Sequence, residues 1–233
     1  MFDTPRTKVI LGITAVSIAI QFAPALSWFF PVTKHIFPNL MGVNPRGTSI
    51  TFDDGPDIAF TPQILDILDN ADVKATFFML GKMVEDHPSV AKQVANRGHN
   101  IAMHGYEHKN HLFRSPRTIL YDLSRAKSII EETTGQTITL YRPPYGVISI
   151  GTILAARRLD LKILLWTTWG RDWRKKASAK TVLDDLLRHG VVNATVLLHD
   201  SDCTSSPGST WATIGSLNNL INHMRDQEIK ITH

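Results

Sequence analysis

Apolar runs of strand length alternate with stretches of helical period from residue 48 onward. The apolar or β-branched runs occupy residues 48–53, 73–79, 100–103, 138–142, 161–166, 194–198 and 229–232, each short enough to be a buried strand bounded by turn residues. Between them an amphipathic 3.6-residue period appears near 62–70, 89–97, 116–133, 150–159, 179–189 and 213–226. Thr61-Pro62 reads as an N-cap followed by proline in the first helical turn, and Gly98, Gly135 and Gly190 stand where helices should stop. Seven strands separated by helices predict a parallel sheet. Closing that sheet predicts an α/β fold, a distorted (β/α)7 barrel related to the eight-stranded TIM barrel. An open doubly wound sheet is the competing arrangement, but it gathers its ligand at one switch point.

Ahead of the alternating pattern lies a different kind of sequence. After a short tail, residues 1–8, the 25 residues from Val9 to Thr33 carry no formal charge, which is long enough to cross a bilayer. Residues 9–33 therefore predict a transmembrane anchor or a signal peptide. The apolar core Val9 to Ile20 followed by Ala23-Pro24-Ala25 fits a cleavage site near Ala25, which would release a secreted protein. Apolar character resumes in Trp28, Phe29 and Phe30, residues suited to a membrane interface, and this favours the anchor. Arg6 and Lys8 on one side balance Lys34 and Arg46 on the other, so the lysine and arginine count sets no orientation. Residues 34–47, with Pro38, Gly42, Pro45 and Gly47, read as a linker, and residues 48–233 as one globular domain.

Composition narrows the class without changing the fold. Hydrophobic residues make up 43% and charged residues 20% of the chain, as expected for a packed domain. The formal charge of +4 comes from scattered residues with no basic run able to track a phosphate backbone, so no nucleic-acid partner is expected. The single cysteine, Cys203, excludes an internal disulfide and reads as an idle thiol. Nothing in the pattern fixes the oligomeric state.

Candidate chemistry sits at the ends of the strands. Five of them run into small polar clusters: Asp53-Asp54-Gly55-Pro56, His104-Gly105-Tyr106-Glu107-His108, Arg142-Pro143-Pro144-Tyr145-Gly146, Arg171-Asp172-Trp173 and His199-Asp200. Five contributors are easier to gather on the rim of a barrel than at one switch point. Asp-Asp-Gly-Pro by itself is more often a turn. In a continuing strand Asp53 and Asp54 would face opposite ways, so Gly55-Pro56 must break the strand for both to approach one centre. His104 and His108 have the i, i+4 spacing that lets two imidazoles face one ion if the segment is helical or nearly so. Two imidazoles and one carboxylate suit a divalent ion such as Zn²⁺.

The remaining clusters supply what such an ion needs for hydrolysis. Arg142 can hold a carboxylate bidentately and keep it ionised as a general base. The stiff Pro143-Pro144 pair can aim an amide such as that of Tyr145 at a developing oxyanion. Asp172 can orient a histidine while Trp173 walls a groove, and His199, the third histidine on the rim, suits a general acid. Each cluster alone also has a plain structural reading, as a stiff loop, a surface turn or a satisfied core histidine.

Read together and in this order, the five clusters resemble the polysaccharide deacetylase family, also called the NodB-homology domain or carbohydrate esterase family 4. The resemblance covers about residues 48–233, and Thr51-Phe52-Asp53-Asp54-Gly55-Pro56 is its most specific element. It implies a seven-stranded distorted barrel and metal-dependent removal of N-acetyl groups from a polysaccharide or oligosaccharide, peptidoglycan or chitin-like. Residue by residue it implies Asp53 as general base, Asp54, His104 and His108 as ligands of a divalent ion, most simply Zn²⁺, and Arg142 as the partner of Asp53. It further implies the Tyr145 amide at the oxyanion, Asp172 tuning His199, His199 protonating the leaving amine, and Leu197 lining the acetyl pocket beside Tyr145 and Trp173. A deacylase of a lipid-linked sugar and a non-catalytic carbohydrate-binding protein are the competing functions. Two positions depart from the pattern: Gly105 stands where many members carry Ser or Thr, and Trp169 where some carry an acidic residue. With an N-acetylated glycan as substrate, the expected location is the cell membrane, single-pass, with the catalytic domain outside.

Overall fold

The computed structural model describes residues 39–233, with Pro24 alone ahead of them. The anchor or signal segment at 9–33, Pro24 apart, therefore lies outside the described residues. Among the described residues no helix is long and apolar enough to cross a membrane.

The sheet strands are β1 (Thr48–Asp53), β2 (Thr76–Met79), β3 (Asn100–Met103), β4 (Leu140–Tyr141), β5 (Lys162–Ile163), β6 (Thr168–Trp169), β7 (Thr195–His199) and β8 (Ile231–Thr232). The helices are α1 (Thr61–Asn70), α2 (Gly81–Asp86), α3 (Pro88–Asn96), α4 (Pro116–Thr134), α5 (Ile150–Arg158), α6 (Ala179–His189) and α7 (Thr210–Asp226). Every strand pairing is parallel, in the order β5-β4-β3-β2-β1-β7-β6, and β8 pairs with the start of β1. Read as a circle, that order is the chain order interrupted once, between β5 and β6, which form no ladder with each other. The result is an open barrel rather than a doubly wound sheet, consistent with a distorted (β/α)7 barrel. Its seven-stranded path includes β6, which the sequence pattern omits, while the expected strand at 229–232 is the off-path β8.

The seam explains one departure from the sequence pattern. Residues 161–166 look like one strand, yet their hydrogen bonds change partner as they cross the gap. Leu164 N donates to Tyr141 O at 2.9 Å, Leu165 N to Leu40 O at 2.8 Å, and Thr167 N to Thr195 O at 3.0 Å. Within the run only Leu161 and Leu165 are buried, Ile163, Leu164 and Trp166 are half-buried, and the strand itself is confined to Lys162–Ile163. Residues 39–47 pack into the same place. Met41 is fully buried against Ile148 and Leu165, Thr195 Oγ1 donates to Gly42 O at 2.6 Å, and Asn44 Nδ2 donates to Thr232 Oγ1 at 2.9 Å. Gly42 has φ +70, and a Cβ there would lie 2.5 Å from Thr195 Oγ1, so this close approach requires glycine.

Local chemistry sets the helix limits. Ser115 caps α4, Ser149 and Ser178 form capping boxes with Thr152 and Thr181, and Gly135 closes α4 in the left-handed conformation. Thr61 is not an N-cap. The helix begins at Thr61 itself, whose hydroxyl is directed at Asp200 instead (2.6 Å). The six residues of α2 are too few to show a helical period, which is why the sequence pattern omits it.

Register gathers the strand ends. Asp53 lies opposite His199, and Met103 opposite Tyr141, so His104 and Arg142 emerge side by side. Trp169 pairs with Leu197. Every cluster named above thus leaves the C-terminal rim of the sheet, where parallel barrels place their sites.

Two core histidines give the fold a pH signature. Burial pushes both His99 and His111 down to about 4, aided by nearby Lys74 and Arg114 respectively, and His99 Nδ1 accepts from Ala75 N at 3.2 Å. Below the unfolded-state value near 6.5, the unfolded chain binds protons that the folded chain refuses. Stability from these groups is complete above about pH 6.5 and falls by up to about 1.4 kcal/mol per pH unit per histidine as the pH drops towards 4. Denaturant unfolding at pH 7 and pH 5 should show the loss, and His99→Gln should reduce the slope. An unchanged slope in the variant would contradict this reading.

Candidate active site

β1 ends at Asp53, and Asp54 turns into the left-handed region at φ +77, which lets two consecutive carboxylates enter one pocket without facing opposite ways. Both are buried, Asp53 at 2% exposure and Asp54 at 0%. Burying two acids in sequence is costly unless each is partnered, and they find different partners.

Asp53 Oδ1 accepts from Arg142 Nη1 at 2.5 Å. The contact is single, not bidentate, because the other guanidinium nitrogens are engaged by the seam: Nη2 donates to Leu165 O at 2.9 Å and Nε to Leu164 O at 3.2 Å. Nη1 also donates to Thr51 Oγ1 at 2.9 Å, and the guanidinium lies 3.8 Å above the Phe78 ring. Arg142 is fully buried, so its position is fixed by packing. Burial still pushes Asp53 up to about 6, with Arg142 and His199 working against the rise and Asp54 adding to it. The other oxygen, Oδ2, faces the pocket 3.7 Å from His104 Nε2.

Asp54 divides its oxygens as well. Oδ2 accepts from Thr204 Oγ1 at 2.5 Å, whereas Oδ1 is buried with no hydrogen-bond partner. That oxygen faces His104 Nε2 at 3.5 Å and His108 Nε2 at 3.7 Å, and one ligand atom from each of the three residues falls within 4.8 Å of the others. His104 Nδ1 lies 2.7 Å from Arg142 O, which places the proton on Nδ1 and leaves the Nε2 lone pair for the centre. Burial, with neighbouring cations, holds His104 well below the usual histidine range, and burial lowers His108 too, so both imidazoles are neutral, as ligands must be. An orphaned carboxylate oxygen between two neutral imidazole nitrogens fits a divalent cation.

The histidine segment is not helical. Residues 104–108 form a loop in which Gly105 has φ +99. The N-terminus of α2 grips this loop, Gly81 N donating to Gly105 O at 2.9 Å and Lys82 N to Tyr106 O at 3.0 Å. From the other side Tyr106 N donates to Asp122 Oδ2 at 3.0 Å. Glycine at 105 suits the backbone here, and nothing nearer than 3.4 Å would meet a Cβ.

His199 closes the set. Its Nδ1 lies 2.8 Å from Asp172 Oδ1, its backbone N donates to Asp172 Oδ2 at 2.7 Å, and Thr213 Oγ1 donates to the same oxygen at 2.6 Å. Burial raises Asp172, but the His199 charge and these hydrogen bonds outweigh it and hold the carboxyl below its ordinary range. Burial opposes a charge on His199 too, yet Asp172, Asp54 and Asp53 carry it up to about 10. It is therefore an imidazolium at neutral pH, with Nε2 4.0 Å from Asp54 Oδ2.

A cleft of about 900 Å³ opens over these groups, lined by Asp53, His104, His108, Tyr145, Trp166, Trp169, Trp173, Leu197 and His199, with Thr204 to Pro207 on one side. Tyr145 has φ +60 and its ring packs edge-on to His108 at 4.3 Å. Trp173 stands edge-on to His199 at 5.6 Å. Trp211 packs against Phe60 and is not among the lining residues. Cys203 is an exposed residue, but its thiol is turned 3.6 Å from Asp54 O, where partial desolvation and the Asp54 charge push it up to about 12, in keeping with an idle thiol. All sequence-predicted site residues thus converge. Missed were Thr204 and Thr213, which lie outside any motif, while Asp200, named in the His199-Asp200 cluster without a role, contacts Gly55 and Thr61 through its carboxylate.

A family model described as polysaccharide deacetylase matches residues 42–164. The chain is 32% identical over 202 residues to a peptidoglycan-N-acetylglucosamine deacetylase of Bacillus cereus, covering 85% of this chain and 71% of that protein. Among solved structures it is similar to the Bc1960 peptidoglycan N-acetylglucosamine deacetylase, with a TM-score of 0.75 and 30% identity over 82% of this chain and 86% of the other. It is also similar to BA3943 of Bacillus anthracis, described as a pseudoenzyme of carbohydrate esterase family 4, with a TM-score of 0.73 and 26% identity over 81% of this chain and 64% of the other.

The buried Arg142–Asp53 pair is directly testable. Arg142→Met should destabilise the fold by about 3–5 kcal/mol by stranding a buried carboxylate. Adding Asp53→Asn should recover part of that loss in denaturant unfolding. Costs that simply add would show the two residues to be uncoupled.

Proposed function

The chain belongs to the polysaccharide deacetylase family, whose members are hydrolases acting on amide bonds, and from that premise we propose that it removes N-acetyl groups from a cell-wall glycan of the peptidoglycan type. The observation that carries the reading is the unpartnered Asp54 Oδ1 between two neutral imidazoles, beside a carboxylate and an imidazolium. A divalent ion held there by Asp54, His104 and His108, zinc in our reading, supplies a Lewis acid that polarises the acetamide carbonyl and lowers the pKa of water.

The chain's own groups do the rest. Arg142 occupies Asp53 Oδ1 and leaves Oδ2 directed into the pocket, so Oδ2 is the atom that takes the proton from the attacking water. His199 holds a proton on Nε2 for the leaving amine, and Asp172 fixes the tautomer through Nδ1. The strained turn at Tyr145 presents its backbone amide to the developing oxyanion, as its left-handed φ at the cleft supports. Leu197 and Trp173 line the space for the acetyl methyl group.

A fold shared with a pseudoenzyme does not by itself entail turnover. For this chain the reading is supported by the residues themselves, since Asp53, His199 and the group Asp54, His104 and His108 meet at one cleft. The uncharged stretch 9–33 supports an anchor, and a cell-wall substrate supports a catalytic domain outside the membrane.

Acetate release from purified peptidoglycan, chitin oligomers and a lipid-linked acetylated sugar, with zinc and after chelation, tests the proposal. We expect zinc-dependent release from peptidoglycan that falls at least about a hundredfold in Asp53→Asn. Zinc binding without release from any glycan would instead mark a non-catalytic binder. Fractionation of the full-length chain tests the anchor: it should sediment with membranes after alkaline wash, and recovery as a shortened soluble protein would indicate cleavage near Ala25.

A further inference from the structure

We propose that Asp200 is a positioning residue, which holds the turn that aims Asp54 at the ion. This rests on the metal-centre reading above and extends it to a residue with no part in binding or proton transfer. Asp200 follows His199 at the end of β7 and is 1% exposed. Its Oδ1 accepts from Gly55 N at 3.1 Å and its Oδ2 from Thr61 Oγ1 at 2.6 Å. Thr61 Oγ1 in turn accepts from Asp57 N at 2.8 Å, and Asp200 N donates to Asp53 O at 3.2 Å. One side chain therefore ties both ends of the turn 54–57 to the strand that bears His199.

The turn needs such a hold. Asp54 adopts φ +77, uncommon for residues other than glycine though less so for aspartate, and does so at a fully buried position. Thr204 and the two imidazoles meet the Asp54 side chain, whereas Asp200 is the carboxylate that meets the backbone immediately after it. Gly55 bears the mark of this arrangement. Its own φ lies outside the left-handed region, so φ alone does not demand glycine here. Yet a Cβ there would lie 2.1 Å from Asp200 Oδ2 and 2.4 Å from Oδ1. Glycine is needed at 55 because the carboxylate of Asp200 fills the space. The Gly55 and Asp200 positions of two separate motifs are thus one steric and hydrogen-bonding unit.

The test is zinc affinity, measured by competition with a chromophoric chelator on the full chain well below every unfolding midpoint. Asp200→Ala should weaken zinc binding about ten- to hundredfold, the range typical for loss of a group that supports a ligand. Asp200→Asn keeps an oxygen for Gly55 N and an amide for Thr61 Oγ1, so it should stay within a few-fold of wild type. Gly55→Ala should show a loss of the same size as Asp200→Ala, and the double variant should be no weaker than either single one, because each change disrupts the same unit. Ile130→Ala, a core truncation in α4, should lower Tm and leave zinc affinity unchanged, which separates positioning from general stability. If Asp200→Ala fails to fold, the comparison of Gly55→Ala with Asp200→Asn carries the test alone. A folded Asp200→Ala or Gly55→Ala that binds zinc as wild type does overturns the proposal and leaves the metal centre standing. A wild-type chain that binds no zinc overturns both.

Discussion

Two consecutive carboxylates are buried at the end of one strand, and the rest of the site is organised around keeping them apart in function. Placed in a low-dielectric pocket with equal surroundings, neighbouring acids would share a proton and neither role would be available. Here Asp53 is turned to a fully buried guanidinium, while Asp54 is turned to two imidazoles and a hydroxyl. Arg142 is in its turn committed to the carbonyls of the barrel seam, so Asp53 is tied to the place where the sheet fails to close. The same residue's carbonyl fixes the tautomer of His104. One arginine thereby connects Asp53, His104 and the seam.

The fold contributes register. Parallel pairing of β1 with β7 sets Asp53 opposite His199, and pairing of β3 with β4 sets His104 beside Arg142. Short loops then need only small turns, and several use left-handed residues: Asp54, Gly105, Tyr145 and Arg171 all have positive φ, and all lie in the rim clusters. The same conformation also serves turns away from the rim, at Asp72, Asp160, Asn193 and Glu228, so it marks tight turns and not the site alone.

Much of this was legible in the sequence because strand ends punctuate strongly. The alternation of periods located most of the helices and strands, and the five clusters named the residues that carry the chemistry in the cleft. What remained hidden was whatever depends on tertiary partners. The run 161–166 reads as one long strand, whereas only Lys162–Ile163 pairs in the sheet before the chain changes partner at the seam. The i, i+4 spacing of His104 and His108 suggests a helix, whereas the two imidazoles are brought together by a glycine loop clasped between α2 and Asp122. The single contact between Arg142 and Asp53, and the hold of Thr204 on Asp54, depend on carbonyls and loops distant in sequence and carry no local signal.

Zinc K-edge absorption on the zinc-loaded chain addresses the central claim most directly. Asp54, His104 and His108 as ligands should give two imidazole nitrogens at about 2.0–2.1 Å with the remaining donors oxygen, and no sulfur. A sulfur shell near about 2.3 Å, which would enlist Cys203, or a spectrum lacking imidazole scattering would contradict it.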